Sequence, residues 1–257
     1  MTHKVNYDQV APTYDQRYAG TLFAGVGNAL LSLATATAAK SILEVGCGTG
    51  YWLAAIRSHG RRVFGLDLSL GMLRKARERE SSLTLVRGSA EILPFQSHSF
   101  DLIFSVNAIH HFIRPDFVRE ARRLLKPGGS LASIALDPHH GRDRWYVYDY
   151  FPETLEIDRE RYPSVGRVAD WMIAAGFDRV ECRAAERIVQ NVTGDQILRD
   201  PMLHKNATSQ LVLLSDEVYA AGIARIKAAI HRAEAAGQPA LFPVDVSLMM
   251  EIGSLAQ

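Results

Sequence analysis

What this chain has little of narrows its function first. No surplus of charge of either sign is present: 29 Lys and Arg stand against 28 Asp and Glu in 257 residues. That balance leaves no basic footprint for DNA or RNA and does not favour a polyanionic partner. Cysteine is scarce, with Cys47 and Cys182 alone, too few for a disulfide framework, so a reducing, cytoplasmic compartment is expected. Long apolar runs are missing as well. The one candidate, Thr21 to Ala39, is uncharged but mixes Leu with Ala, Thr, Gly, Ser and Asn, and Phe23, Val26, Leu30 and Leu33 recur at helical spacing. It reads as a buried helix, and no membrane span is expected. The histidine pairs His110-His111 and His139-His140 sit in no Cys/His/Asp cluster with zinc-like spacing, so no metal is expected either.

What is present is a chain 47% hydrophobic, enough for a substantial core in a single domain spanning 1–257. Short apolar runs alternate with helical stretches through the first two-thirds, which predicts an α/β doubly wound parallel sheet. Strands are expected near 41–45, 62–66, 83–86, 101–106, 131–136, 178–184 and 244–252. Helices are expected over 22–39, 51–59, 70–80, 114–125, 166–175 and 216–236, with residues 1–40 a helical N-terminal segment. Two stretches exceed a minimal sheet: an aromatic-rich connection over 137–164 and an insertion over 190–240. In the second, Tyr219, Ile223, Ile226, Ile230 and Ala233 mark one helix face, with Ser215 as N-cap. Periodicity leaves two readings of that face open, core or dimer seam on one side and a lid over a ligand on the other.

The strongest motif is Ile42-Leu-Glu-Val-Gly-Cys-Gly-Thr-Gly50, an apolar run ending in a turn of small residues, followed by Asp67 at the end of a second apolar run. Gly46, Gly48 and Gly50 remove the Cβ atoms that would keep a ligand from the backbone. An aspartate placed so is where nucleotide-binding folds hold a ribose diol. A dinucleotide fingerprint needs glycine at its sixth position, which here is Tyr51. The pattern is instead acidic-x-Gly-x-Gly-x-Gly, led by Glu44.

That pattern resembles motif I of the class I S-adenosylmethionine (SAM)-dependent methyltransferases, of the quinone-type, small-molecule group. The resemblance covers about residues 5–180. It implies a Rossmann-like seven-stranded sheet with an antiparallel last strand, SAM as cofactor and S-adenosylhomocysteine (SAH) as product. It implies cofactor contacts from Glu44, Gly46, Cys47, Gly48 and Gly50, a ribose diol on Asp67 beside Leu68, and Met72 against the adenine. Gly88-Ser89-Ala90-Glu91 looks like the adenine loop, with Ser89 where many relatives carry aspartate. Asn107 ends the strand beneath the sulfonium, and Leu124-Leu-Lys-Pro-Gly-Gly129 resembles the family's entry to the fifth strand. Tyr7-Asp-Gln-Val-Ala-Pro-Thr-Tyr14 resembles an N-terminal segment in which a tyrosine, here Tyr14, closes over the cofactor.

These residues together predict methyl transfer from SAM to an oxygen or nitrogen of a small, partly apolar acceptor, by a monomer or homodimer. Carbon methylation of a quinone-like acceptor is the nearest alternative, and a non-catalytic SAM-binding sensor or scaffold the alternative from another class. A nicotinamide oxidoreductase is disfavoured by Tyr51. His110 and His111 follow the strand that delivers Asn107 and have ordinary pKa values near neutrality, so they are the candidate bases, with Tyr14 as hydrogen-bond partner.

Overall fold

Ser41–Val45 is buried at every position, the mark of a central strand covered on both faces. This strand, β1, is the axis of an eight-stranded sheet seen in a computed structural model that describes residues 5–18, 23–57 and 60–257. It pairs in parallel with β2 (Arg62–Asp67) on one side and β4 (Phe100–Val106) on the other. Beyond these lie β3 (Thr84–Arg87) and β5 (Leu125–Leu136), also parallel to their neighbours. The chain order therefore reverses between β1 and β4, which opens a crevice at the carboxyl ends of both strands.

Helices α1 (Tyr7–Val10), α2 (Ala24–Ala36), α3 (Tyr51–Ile56), α4 (Leu70–Arg79) and α5 (Arg114–Leu124) belong to this first part. The expected start of α2 at 22 and end of α3 at 58–59 lie outside the described residues. Val26, Leu30 and Leu33 are buried against the sheet, as their spacing predicts. The N-cap residue of α2, Phe23, supplies no side-chain bond; the Glu186 carboxylate accepts from the Val26 N–H at 3.1 Å instead. A Cβ on Gly25 would lie 2.9 Å from the Glu186 side chain, so a glycine there lets the carboxylate approach.

The sheet carries one strand more than the seven expected. The last strand, β8 (Leu241–Ser254), is antiparallel as expected and lies between β5 and β7 (Arg179–Thr193). The register from Arg179↔Ser254 to Thr193↔Leu241 makes β7 and β8 a long ribbon, whereas β5 covers β8 only as far as Leu248. The free half of β8 is met by the extra strand, β6 (Arg144–Trp145). Beside it pack α6 (Tyr146–Tyr150) and α7 (Glu153–Arg161), neither of them expected, followed by α8 (Val165–Ala174). The sequence of α7, ETLEIDRER, carries no apolar stripe, so periodicity had nothing to report.

Residues 194–240 extend the ribbon's tip through short turns, α9 (Ser209–Val212) and the long α10 (Asp216–Ala235), capped by Ser215 as expected. Its expected apolar face joins a third cluster with Trp145, Phe151, Phe242 and Val244. That face is therefore packed within the protein.

Candidate active site

The glycine turn is held by the strand beside it. The N–H groups of Gly46 and Cys47 both donate to the Leu66 carbonyl, at 2.8 and 3.0 Å. The Gly48 N–H donates to Asp67 Oδ2 and the Ser69 N–H to Oδ1, each at 2.8 Å. Gly46 has φ +73°, and a Cβ there would lie 2.6 Å from that of Ala108, so the turn can press against the residue after Asn107 only because position 46 has no side chain. Burial raises the Asp67 pKa, and the bonds from the Ser69 and Gly48 N–H groups oppose that rise. Glu44 is 1% exposed, and burial, followed by repulsion from Asp67, pushes its carboxyl far above the usual range.

Among the acceptors buried without a hydrogen-bond partner are Glu44 Oε2 on β1 and Asn107 Oδ1 just after β4. Asn107 sits at the crevice with φ +49°, a conformation few non-glycine residues adopt. A ligand bringing an ammonium and hydroxyl groups would satisfy such acceptors, and Asp67 keeps lone pairs beyond the two already used. The donor and acceptor set thus fits SAM.

On the expected adenine side, Met72 is 1% exposed and Leu68 67% exposed. Ala90 is buried. Ser89 donates to the Glu91 carboxylate, whose Oε1 accepts from the Ile113 N–H at 2.8 Å and so ties the loop to the start of α5. Cys47 is buried, with its thiol pKa raised by that burial.

The N-terminal segment is clamped over this turn. Asp8 accepts from Ser69 Oγ at 2.6 Å and from the Gly71 N–H at 2.7 Å. Asp15 accepts from Thr49 Oγ1 at 2.5 Å and pairs with Arg79 at 2.6 Å. The Tyr14 ring is brought so close that a Cβ on Gly48 would be 3.9 Å from its Cε1. Past Tyr14 and Asn107 opens a cavity that is partly continuous with solvent. Its walls include Tyr7, Arg17, His110, Trp145, Tyr162 and Val246. The first part of the sheet therefore contributes one wall, and residues from 137–164 and 190–210 contribute others.

The two candidate bases part company. His110 is 7% exposed and stacks on Tyr162 with centroids 3.9 Å apart, and neither ring nitrogen has a partner. Burial, then the neighbouring His111, Arg161, Arg114 and Arg17, hold its pKa far below the usual value, so the ring is neutral at pH 7. His111 keeps an exposed side, and its Nε2 lies 2.7 Å from the Tyr7 hydroxyl. Packing of its ring, followed by the charges of Arg161 and Arg114, lowers its pKa also. Sequence reasoning missed Arg17 and Tyr162 altogether. Arg17 follows Tyr14 by three residues, and its guanidinium lies 3.7 Å from the Tyr14 ring centroid, so helical spacing was the available signal. Tyr162 carried none.

Among the described residues no group of three or more His, Cys, Asp or Glu could hold a metal ion, and no helix is long and apolar enough to cross a membrane.

With this geometry in view, the comparisons with known proteins agree on the class. Residues 43–133 match the model of a methyltransferase domain family, a stretch that runs from β1 into β5. A malonyl-[acyl-carrier protein] O-methyltransferase of Herminiimonas arsenicoxydans is 32% identical over 169 residues, 63% of this chain and 62% of that protein. A phthiotriol/phenolphthiotriol dimycocerosates methyltransferase of Mycobacterium leprae is 39% identical over 117 residues, 42% of each chain. Across such curated relatives the chain spans between 27% and 62% of their length. Among solved structures, a methyltransferase ascribed to an antibiotic biosynthesis pathway of Anabaena variabilis superposes with TM-score 0.64 at 21% identity, covering 84% of this chain and 91% of that one. Phosphoethanolamine N-methyltransferase 2 of Haemonchus contortus gives TM-score 0.61 at 18% identity, over 99% of this chain and 61% of that one. Residues 43–133 thus carry a methyltransferase domain, and the chain shares the Rossmann-like fold of solved SAM-dependent methyltransferases.

Proposed function

We propose that the protein transfers a methyl group from SAM to an oxygen or nitrogen of a small, partly apolar acceptor held in the cavity beyond Asn107. The observation that carries this reading is the continuity of two sites. The glycine turn with Asp67 ends at Tyr14 and Asn107, and these same residues form the near wall of a cavity lined by aromatic and aliphatic side chains. Asp67 and Asn107, with Glu44, would hold the cofactor through its hydroxyl and amino groups, and Leu68 would cover an adenine face.

SAM, when bound, supplies an activated methyl group with a good leaving group. What the chain must add is position and dryness. Trp145, Tyr162, Val246 and Leu248 would fix the acceptor body and exclude water, with residues 137–164 and 190–240 as the cover. His110 faces the same cavity neutral and with a free lone pair, so it can take a proton from an acceptor that must lose one. Its depressed pKa makes it a weak base, suited to a proton already acidified by the forming bond.

Calorimetric titration with SAH and with NAD tests the cofactor half, with micromolar SAH binding expected. Micromolar NAD binding without SAH binding would overturn it. For the acceptor, the protein is incubated with methyl-labelled SAM and a small-molecule extract, and the labelled product is identified by mass spectrometry. A label on oxygen or nitrogen is expected. A label on carbon would replace this reading with the quinone-like one, and no product alongside tight SAH binding would point to a sensor or scaffold.

A further inference from the structure

Several arginines of this protein have acids beside them: Arg79 pairs with Asp15, Arg123 with Glu120 and Arg187 with Asp245. Three at or near the acceptor cavity do not. Among the described residues, none of Arg17, Arg114 and Arg161 has a carboxylate within the 4.0 Å of an ion pair. All three are at least partly withdrawn from water.

Their bonds are to neutral oxygens, and donors are left over. Arg17 lines the cavity and donates from Nε to the Tyr14 carbonyl at 3.2 Å and from Nη2 to the Ala207 carbonyl. Arg161 donates from Nη1 to Ser209 Oγ at 3.1 Å, itself a cavity residue, while its Nη2 is buried with no partner. Arg114 donates to the Arg161 carbonyl, and its buried Nε has no partner. Of the acids nearby, Asp158 accepts from the Tyr148 hydroxyl at 2.9 Å and keeps a buried Oδ1 without a partner; burial lifts its pKa to about 7, opposed by the Tyr148 bond and by Arg161. Asp200, on the cavity wall, accepts from the Tyr146 hydroxyl at 3.0 Å and the Met202 N–H at 2.8 Å.

Gathering cations away from water without counter-charge is costly unless an anion arrives to offset them. We propose that the methyl acceptor carries an anionic group, a carboxylate or a phosphoryl, seated by Arg17 and Arg161 beside His110 with its apolar body against Trp145 and Val246. Arg114 adds charge from behind Arg161. The guanidinium fork suits such groups, since it offers parallel N–H donors to two oxygens at once. This inference rests on the methyltransferase reading and narrows its substrate class. Near-neutral net charge concealed it, because the three arginines come from separate parts of the chain: Arg17 lines the cavity, Arg161 reaches its wall at Ser209, and Arg114 lies behind Arg161.

The test uses matched probes on the full chain, with and without saturating SAH: octanoate against octanamide, indole-3-acetate against indole-3-acetamide, and phenyl phosphate against phenol. Calorimetry should find at least one anion bound about tenfold or more tightly than its neutral partner, as expected for charge-assisted hydrogen bonds. Carboxylate and phosphate pairs show which anion is preferred. Arg161→Gln should abolish the preference, Arg161→Lys should keep part of it, and SAH affinity and melting temperature should stay close to wild type in both. Arg17→Gln should weaken the anion as well. Neutral probes binding as tightly as the anions, no anion binding at all, or a preference surviving both glutamine variants would overturn the inference. Failure of SAH to bind would fell the cofactor reading separately, while the SAH-free titrations still judge the anion site.

Discussion

The imidazole of His110 lies almost flat on the phenol ring of Tyr162, at an interplanar angle of 23°, with both ring nitrogens bare. This pairing joins the turn after β4 to the end of α7, two segments that the sequence alone does not connect. It also sets up a protonation cost, because a charged ring would have to be desolvated among three arginines.

That cost gives a pH prediction. The folded His110 pKa is held below the ordinary value near 6.5, so below that pH the unfolded chain takes up a proton that the folded chain refuses. Its contribution to stability is present above pH ~6.5 and is lost as pH falls towards the folded pKa. Urea denaturation of wild type and His110→Phe at pH 7 and pH 5 should show the wild type losing about 1–2 kcal/mol more than the variant on acidification. Parallel losses would mean that His110 titrates normally.

Glu251 on β8 gives the opposite sign. It is 4% exposed, and burial lifts its carboxyl to about 8. Between the unfolded carboxyl range and pH 8 the folded state keeps a proton the unfolded state releases, so the stability this provides is lost as pH rises through that window. Glu251→Gln cannot titrate there. Its stability relative to wild type should therefore climb from pH 5 to pH 8, by at most ~1.4 kcal/mol per pH unit. A constant difference in chemical denaturation across that range would refute the assignment.

Asp67→Ala should weaken SAH by about tenfold to a hundredfold in calorimetry, since hydrogen bonds to a charged group contribute ~1.5–3 kcal/mol each. The same change frees the N–H groups of Gly48 and Ser69, so the turn should also lose rigidity. Unaltered SAH affinity would show that another carboxylate holds the ribose.

Gly222 lies in the middle of α10, where alanine would ordinarily gain about 1 kcal/mol from helix propensity. Here a Cβ would fall 2.1 Å from Cε1 of Phe151, which is fully buried and stacks on Tyr219. Overpacking of this kind costs ~1–3 kcal/mol, so Gly222→Ala should lower the denaturation midpoint despite its propensity. A stabilised variant would show that Phe151 moves aside freely.

Sequence determined most of the scaffold. Apolar runs with helical stretches between them placed β1, β2, β4 and α4, because strands buried on both faces and amphipathic helices leave direct periodic records. The glycine turn and Asp67 were legible for the same local reason: their conformations depend on residues close by in the chain. Tertiary structure alone decided how far β7 and β8 would run together, that an unstriped segment would fold as α7, and that Glu186 would cap α2 from 160 residues away. It also decided the cavity's chemistry. Arg17, Arg114 and Arg161 each look like an ordinary surface or turn residue in isolation, and His110 showed in sequence only as a candidate base, not as a buried ring. Only when the N-terminal segment, the turn after β4 and the end of α7 pack together do their charges lose water and act on one another, and no local pattern encodes that desolvation.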